Sequence, residues 1–161
     1  MKPKEYHWQS KFLDQDIKLR VYGESGTPIL AFPTESGHYY DLENFGIVKI
    51  AEEYLKAGKI QLITLDSRDD ENWLNGDIEP KQRAINYDNY VRYIVHEVVP
   101  FIRELRGMNE TEKMGLFGIS LGGYHALNIF FRFPDTFNLV ISLSGKLHLE
   151  QYIGNYMDDT V

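Results

Sequence analysis

The chain has 161 residues, of which 43% are hydrophobic, and this is enough apolar material for the core of one domain. The formal net charge of -7 argues against binding to nucleic acid or to anionic membranes, because both need concentrated Lys and Arg. Cysteine is absent, which excludes disulfides and cysteine-based metal or redox sites. The first residues lack the apolar core of a secretory signal, so we expect a cytoplasmic protein with small-molecule or protein partners.

The first half of the sequence predicts a hairpin followed by two buried strands and a helix. Residues 8–13 and 17–22 are strand-like and flank a turn rich in Asp. The apolar runs 29–32 and 60–65 are typical of buried parallel strands. Between them, a helix is expected over about 41–57. Its apolar stripe comprises Ile47, Ile50, Ala51, Tyr54 and Leu55.

The second half predicts further helices that alternate with strands. A long helix is expected over about 82–105, with a kink at Pro100 because proline lacks an N–H group. Strands are expected at 115–119 and at 139–143, the second as a buried strand, and a helix is expected at 121–132. The core stripe of the long helix comprises Tyr87, Val91, Ile94, Val98, Ile102 and Leu105. This alternation predicts a mostly parallel sheet with helices on both faces, which is a three-layer α/β/α sandwich.

The most informative motif is Gly118-Ile119-Ser120-Leu121-Gly122, which lies between a predicted strand and a predicted helix. In a nucleophile elbow, a serine stands on a sharp strand-to-helix turn, and glycines flank it because a Cβ would collide with neighbouring backbone. Gly123 suits the same close approach. The alternative is an ordinary Gly/Ser turn of an α/β protein. The strand before the motif and the apolar helix after it favour the elbow.

Ligands of parallel α/β sheets bind at the carboxyl ends of the strands. The loops that follow the predicted strands there are residues 33–38, 66–73, Ser120 and 144–148. We therefore expect these loops to converge on one mouth.

Further segments of the chain carry a family resemblance. They are Tyr22-Gly23, residues 29–33, Leu65-Asp66-Ser67 with Trp73, and residues 97–102, 118–126, 132–137 and 143–145. Together they resemble the esterase family of α/β-hydrolases, whose relatives include S-formylglutathione hydrolases and feruloyl esterases. The resemblance implies one α/β-hydrolase domain over 1–161. Members of that family run to about 250 residues, so we expect a domain that lacks the last strands.

The resemblance also implies an activity and the residues that carry it. Ser120 would attack the carbonyl of a small ester or thioester and form an acyl-enzyme, with no cofactor or metal. The backbone N–H groups of Leu121 and of Thr34 or Glu35 would stabilise the oxyanion. The family's catalytic acid and His correspond to no position of this chain. We therefore expect a fragment of a longer protein, a naturally shortened protein, or a protein that uses a different base. The alternative function is a non-catalytic or remnant hydrolase-fold protein that binds a ligand or partner without turnover.

Two of the five histidines lie in the predicted mouth loops. These are His38 and His148, the candidates for a base or a pocket residue, although each is also compatible with an ordinary loop histidine. His125 follows Ser120 on one helix, and at about 100° per residue the two side chains point about 140° apart, so His125 is predicted to pack in the protein. His7 and His96 are expected at the surface. The acids near the mouth are Glu35, Asp66, Glu150 and Asp158.

Aromatic and acidic side chains near the mouth have two interpretations each. Tyr39, Tyr40 and Trp73 are candidates for a pocket wall or for ordinary packing. The cluster of Asp66, Asp69, Asp70 and Glu71 contains ligands that hard cations prefer, but its spacing matches no metal-binding loop. We therefore expect a solvated acidic loop and no metal.

The strand predicted at 139–143 has a consequence for assembly. In the hydrolase strand order it would form a bare apolar edge of the sheet, and such edges pair with other chains. We therefore expect a homodimer through this edge, aggregation or marginal stability.

Overall fold

The computed structural model describes residues 1–153, which form one sheet covered by helices. The strands are β1 (Lys4–Ser10), β2 (Gln15–Tyr22), β3 (Thr27–Phe32), β4 (Ile60–Thr64), β5 (Met114–Ile119) and β6 (Phe137–Leu143). Their order in the sheet is β1-β2-β4-β3-β5-β6. The first two pairings of that order are antiparallel, and β4, β3, β5 and β6 run parallel. The mostly parallel sheet that the sequence predicts is confirmed.

Helices cover both faces of the sheet. They are α1 (Asp41–Asn44), α2 (Ile47–Ile50), α3 (Glu52–Lys56), α4 (Pro80–Tyr93), α5 (Val99–Arg106), α6 (Leu121–Arg132) and α7 (Glu150–Ile153). The helices α4, α5 and α6 pack on one face, around Leu30, Phe32 and Leu116. The helices α1–α3 pack on the other face, around Ile29, Ala31 and Leu62. The result is the predicted three-layer sandwich.

The prediction of one continuous helix over 41–57 is wrong, because three short helices take its place. Gly46 lies between α1 and α2 with a φ of 80°, a left-handed conformation that interrupts the helix. The interruption changes which side chains face the sheet. Ile50 and Tyr54 of the predicted stripe are 77% and 54% exposed. The residues that are buried instead are Leu42 and Val48, together with the predicted Leu55.

The long helix predicted over 82–105 is present but contains a wider π-turn at Ile94–Val98, between α4 and α5. This turn lies just before Pro100, where the prediction placed a kink. The proline ring crowds the carbonyl of the preceding turn and offers no N–H to it, which disfavours a regular α-helical turn at this point. The predicted core stripe is buried except for Leu105, which is 39% exposed.

The hairpin turn lies earlier than the sequence predicts, at residues 11–14. The carboxylate of Glu97, in the π-turn, accepts the backbone N–H groups of Lys11 at 2.8 Å and of Phe12 at 3.1 Å. Asp14 closes the turn with a φ of 52°. A side chain distant in sequence therefore fixes the turn, and with the turn in this place β1 pairs with β2 from Lys4 onward.

The strand β6 lies at the edge of the sheet within residues 1–153. Leu139, Ile141 and Leu143 point to one face and are 43%, 41% and 45% exposed. Their exposure corrects the expectation of a buried strand and agrees with the expectation of an apolar edge. None of the helices in the described part of the chain is both long and apolar enough to cross a bilayer.

Candidate active site

Ser120 connects β5 to α6 and has a backbone conformation that L-residues rarely adopt. Its φ is 57° and its ψ is -120°. Such a conformation costs about 1–3 kcal/mol and persists only where surrounding contacts impose it. Four hydrogen bonds do so here. The N–H of Ser120 donates to the carbonyl of Leu143 at 2.9 Å, and its carbonyl accepts the N–H groups of Gly123 at 2.9 Å, of Lys146 at 3.0 Å and of Tyr124 at 3.4 Å.

The glycines around Ser120 allow the backbone to approach closely. A Cβ on Gly118 would overlap the carbonyl of Gly122, and a Cβ on Gly122 would overlap the carbonyl of Pro33. Helix α6 can therefore begin directly against β5 and against the loop that follows β3. The glycines place that loop beside Ser120.

The loops that follow β3, β4, β5 and β6 converge at the carboxyl edge of the sheet, as the sequence predicts. The N–H of Ser67 donates to the carbonyl of Gly37 at 3.0 Å, which joins the loops after β4 and β3. The Nζ of Lys146 donates to Glu35 at 3.0 Å, which joins the segment after β6 to the loop after β3. These contacts form one mouth around Ser120.

Backbone N–H groups border this mouth on two sides. Leu121 is the first residue of α6, where helix N–H groups lack an intrahelical acceptor and the helix dipole is positive. In residues 1–153, neither Thr34 nor Glu35 donates its N–H to a backbone carbonyl. The side chain of Glu35 is held by Lys146 and by the hydroxyl of Tyr152 at 3.1 Å. The backbone N–H groups of Leu121, Thr34 and Glu35 are of the kind that can stabilise negative charge that develops near Ser120.

The two histidines of the mouth each lie beside an acid. The Nδ1 of His38 is 3.5 Å from Asp66, and the His38 side chain is 58% exposed. The Nδ1 of His148 is 3.5 Å from Glu150, and the His148 side chain is 90% exposed. Neither histidine forms a hydrogen bond with Ser120 among the described residues. The fourth acid that the sequence places near the mouth, Asp158, lies outside these residues.

The three candidate aromatic residues occupy different environments. Tyr39 and Tyr40 are half-buried before α1, and the Arg20 guanidinium lies 5.1 Å from the centre of the Tyr39 ring. Trp73 is 1% exposed, and its ring centre lies 4.9 Å from that of Tyr87. Trp73 is therefore a core residue, in agreement with the packing interpretation.

A cavity of about 140 Å³ lies between the loops after β3 and β4. Its polar lining includes Ser36, His38, Asp66, Arg68 and Asp70. Across residues 1–153, no three side chains of His, Asp or Glu are arranged to hold a metal ion.

Sequence reasoning missed a buried contact between Asp69 and His125. Both side chains are 0% exposed, and the Nε2 of His125 is 2.8 Å from Oδ1 of Asp69. The predicted packing role of His125 agrees with this burial, whereas the prediction of a solvated loop is wrong for Asp69. The only signal in the sequence was an Asp-rich loop and a histidine on an apolar helix, and neither specifies the pairing.

The tyrosines near α6 stay protonated at neutral pH. Burial raises the pKa of Tyr124 to about 12, and burial also raises the pKa of Tyr87 well above its usual value. A phenol in such an environment is no base at neutral pH. The basic group that a serine nucleophile needs is therefore not one of these tyrosines.

Solved structures share the fold of this chain at low sequence identity. A ferulic acid esterase from the fungus Anaeromyces mucronatus is 18% identical with a TM-score of 0.71, over 89% of this chain and 59% of its own. An S-formylglutathione hydrolase from Agrobacterium tumefaciens is 16% identical with a TM-score of 0.68, over 95% of this chain and 65% of its own. The fluorophosphonate-binding serine hydrolase F of Staphylococcus aureus is 15% identical with a TM-score of 0.71, over 99% of this chain and 63% of its own.

The chain thus spans less than two thirds of the length of each of these proteins. No curated protein matches its sequence. The sequence model of the family described as "Putative esterase" matches residues 10–155, which is most of the chain. The chain therefore belongs to this esterase family and has the α/β-hydrolase fold.

Proposed function

We propose that this chain carries the nucleophile of a serine esterase that acts on a small carboxylic ester or thioester. The observation that carries the proposal is the strained backbone of Ser120, with its φ of 57°, between β5 and α6. This is the geometry of a nucleophile elbow, which holds a serine Oγ clear of the sheet and beside a helix N-terminus. Family membership and the loops that meet at Ser120 support it.

The reaction then proceeds through an acyl-enzyme. The Oγ of Ser120 bonds to the carbonyl carbon while its proton passes to a base, and the carbonyl electron pair moves onto oxygen. The N–H groups of Leu121 and of Thr34 or Glu35 stabilise that oxyanion, and each such donor contributes roughly 100- to 1000-fold to the rate. The intermediate expels the alcohol or thiol, which takes the proton. Water then releases the acid by the same steps.

The general base has two candidates within the described residues, His38 and His148. His38 is the better supported, because Asp66 lies 3.5 Å from its Nδ1 and can orient the ring. His148 is 90% exposed, and its neighbour Glu150 is exposed as well. If His38 is the base, His38→Gln lowers the reactivity of Ser120 and His148→Gln does not. Equal reactivity of both variants and the wild type would remove His38 and His148 from this role.

Labelling with a fluorophosphonate tests the proposed nucleophile. We expect an adduct on Ser120, located by peptide mapping, and no adduct in Ser120→Ala. The matched control is Ser144→Ala, because Ser144 also follows a parallel strand with a positive φ, of 50°. That variant should label like the wild type. A folded wild-type protein without an adduct, or an adduct that survives Ser120→Ala, would contradict the proposal.

A second candidate function is binding of a ligand or partner without turnover. It is favoured by one observation: within residues 1–153 no histidine or acid hydrogen-bonds to Ser120, and a serine without a base is a poor nucleophile at neutral pH. This function predicts that esters stabilise the folded protein in a thermal-shift experiment but are not cleaved. Release of acid from an ester, abolished by Ser120→Ala, would contradict it.

We also propose that the protein self-associates through β6. The proposal is supported by the position of β6 at the sheet edge and by the three half-exposed side chains Leu139, Ile141 and Leu143. Unpaired edges of this kind add strands from other chains.

A further inference from the structure

The buried carboxylate of Asp69 joins two elements that border Ser120. Its Oδ1 lies 2.8 Å from Nε2 of His125 on α6, and its Oδ2 accepts the backbone N–H of Ser36 at 3.0 Å. Asp69 is 0% exposed, so water does not take the place of these donors. A buried carboxylate with both oxygens bonded in this way is held in one position.

The first of these elements is the loop after β3, which carries Thr34 and Glu35. Ser36 has a φ of 52°, so its conformation depends on its contacts. Besides its N–H bond to Asp69, its hydroxyl donates to Asp70 at 2.7 Å. Asp69 and Asp70 together therefore fix the residue that follows the two candidate oxyanion donors.

The second element is α6, which begins directly after Ser120. His125 is 0% exposed, and its ring is stacked on Tyr87 at a centre-to-centre distance of 5.4 Å. The Nδ1 of His125 lies 3.5 Å from the Tyr87 hydroxyl, whereas Nε2 faces the carboxylate of Asp69 and therefore carries the proton of that hydrogen bond. The helix that presents Ser120 is thus connected, through one carboxylate, to the loop that presents Thr34 and Glu35.

We propose that Asp69 and His125 are positioning residues, which hold the N–H groups of Thr34 and Glu35 in register with Ser120. The inference rests on the proposed function of Ser120. His125, on α6, would then influence the reaction through Asp69 and the loop after β3, without touching the substrate. Small displacements of catalytic groups lower rates by about 100-fold, so a connection of this kind has a kinetic consequence.

Loss of the His125 donor would free one oxygen of a buried carboxylate. The carboxylate then turns toward another donor or admits water, because an unpaired buried charge is costly. Either change weakens the bond to Ser36. We therefore expect a more mobile loop after β3 and a less reactive Ser120, with little change in how strongly an ester binds.

Three substitutions separate this role from ordinary packing. His125→Leu fills similar space but removes the N–H donor. His125→Gln keeps an amide N–H at the end of a side chain that can reach Asp69. The matched control is Tyr87→Phe, which removes only the hydroxyl near Nδ1 of His125 and leaves the bond to Asp69 in place. Asp69→Asn is the alternative if His125→Leu does not fold.

Amide hydrogen exchange of the peptide that covers residues 33–40 tests the structural part of the proposal. We expect at least about tenfold faster exchange in His125→Leu and near wild-type exchange in His125→Gln and Tyr87→Phe. The exchange of β1 and β2 should stay unchanged in all of them. Wild-type exchange of 33–40 in a folded His125→Leu protein would overturn the proposal.

The rate of fluorophosphonate labelling and the kcat and KM for a p-nitrophenyl ester test the kinetic part. We expect labelling and kcat to fall by about 100-fold in His125→Leu and to return in His125→Gln, with KM nearly constant. An equal loss in Tyr87→Phe would indicate packing alone and overturn the proposal. A wild-type protein that neither labels nor hydrolyses the ester would refute the proposed function instead, and the exchange measurement would then decide the role of His125 by itself.

Discussion

Backbone strain in the described residues is concentrated at the mouth of the sheet. Five non-glycine residues have a positive φ, and all but Asp14 lie in loops at the carboxyl edge: Ser36, Arg68, Ser120 and Ser144. Such conformations persist where contacts over-determine them, and they are common at functional sites. The mouth therefore holds particular backbone groups in place, which suits the proposed stabilisation of an oxyanion by backbone N–H groups near Ser120.

At the scale of single residues, Gly122→Ala tests whether the close approach of α6 to the loop after β3 is required. Its Cβ would overlap the carbonyl of Pro33, so we expect the free energy of unfolding to fall by about 2–4 kcal/mol. The control is Gly46→Ala, where φ is 80° but no atom lies within 4 Å of the added Cβ. Gly46→Ala should lower the free energy of unfolding by only about 1–2 kcal/mol, because the left-handed conformation alone disfavours alanine. Urea unfolding measures both, and equal losses would contradict the steric argument.

At the scale of elements, the sequence predicts well where structure depends on neighbouring residues. Helix α6 has the bounds expected for it, because an apolar run follows directly after the Gly-Ser motif. The helix predicted over 41–57 fails, because hydrophobic spacing does not reveal that Gly46 adopts a left-handed conformation. The site follows the same rule. Ser120 stands out in the sequence, whereas the Asp69–His125 contact joins residues that only the folded chain brings together.

The hairpin of β1 and β2 illustrates such long-range control and can be tested through Glu97. Its carboxylate accepts the N–H groups of Lys11 and Phe12 and the indole N–H of Trp8, the last at 2.9 Å. Hydrogen bonds to a charged group contribute about 1.5–3 kcal/mol, so Glu97→Ala should lower the free energy of unfolding by about 3 kcal/mol. Amide exchange in residues 11–14 should also accelerate.

The control for this prediction is Glu104→Ala, because Glu104 is an exposed glutamate of the following helix, α5. Exposed substitutions of this kind usually change the free energy of unfolding by less than about 0.5 kcal/mol. If Glu97→Ala costs no more than Glu104→Ala, the hairpin turn does not depend on the carboxylate, and local turn preferences alone must explain its position.

At the scale of the whole molecule, the two faces of the sheet are covered unequally. Helices α1–α3 cover the centre of their face, where Ile29 and Ala31 are buried. The same face continues through Phe117 of β5 to Ile141 of β6, and these two residues lie opposite each other in the strand pairing. Within residues 1–153 the helical cover ends there, and Leu139, Ile141 and Leu143 are about two-fifths exposed. An apolar strip beside an unpaired strand edge provides both the hydrogen-bonding groups and the surface that a second chain needs.

We therefore expect concentration-dependent association of the protein at micromolar to millimolar concentration, measured by light scattering or sedimentation. Ile141→Lys places a charge on the β6 edge and should give a monomer, whereas the control Phe131→Lys, at an exposed site on α6, should associate like the wild type.

Each copy has a net charge of -7, so two copies repel each other. Added salt screens that repulsion and should strengthen an apolar association, while it would weaken one held by ion pairs. A wild-type protein that remains monomeric in high salt would contradict pairing through β6.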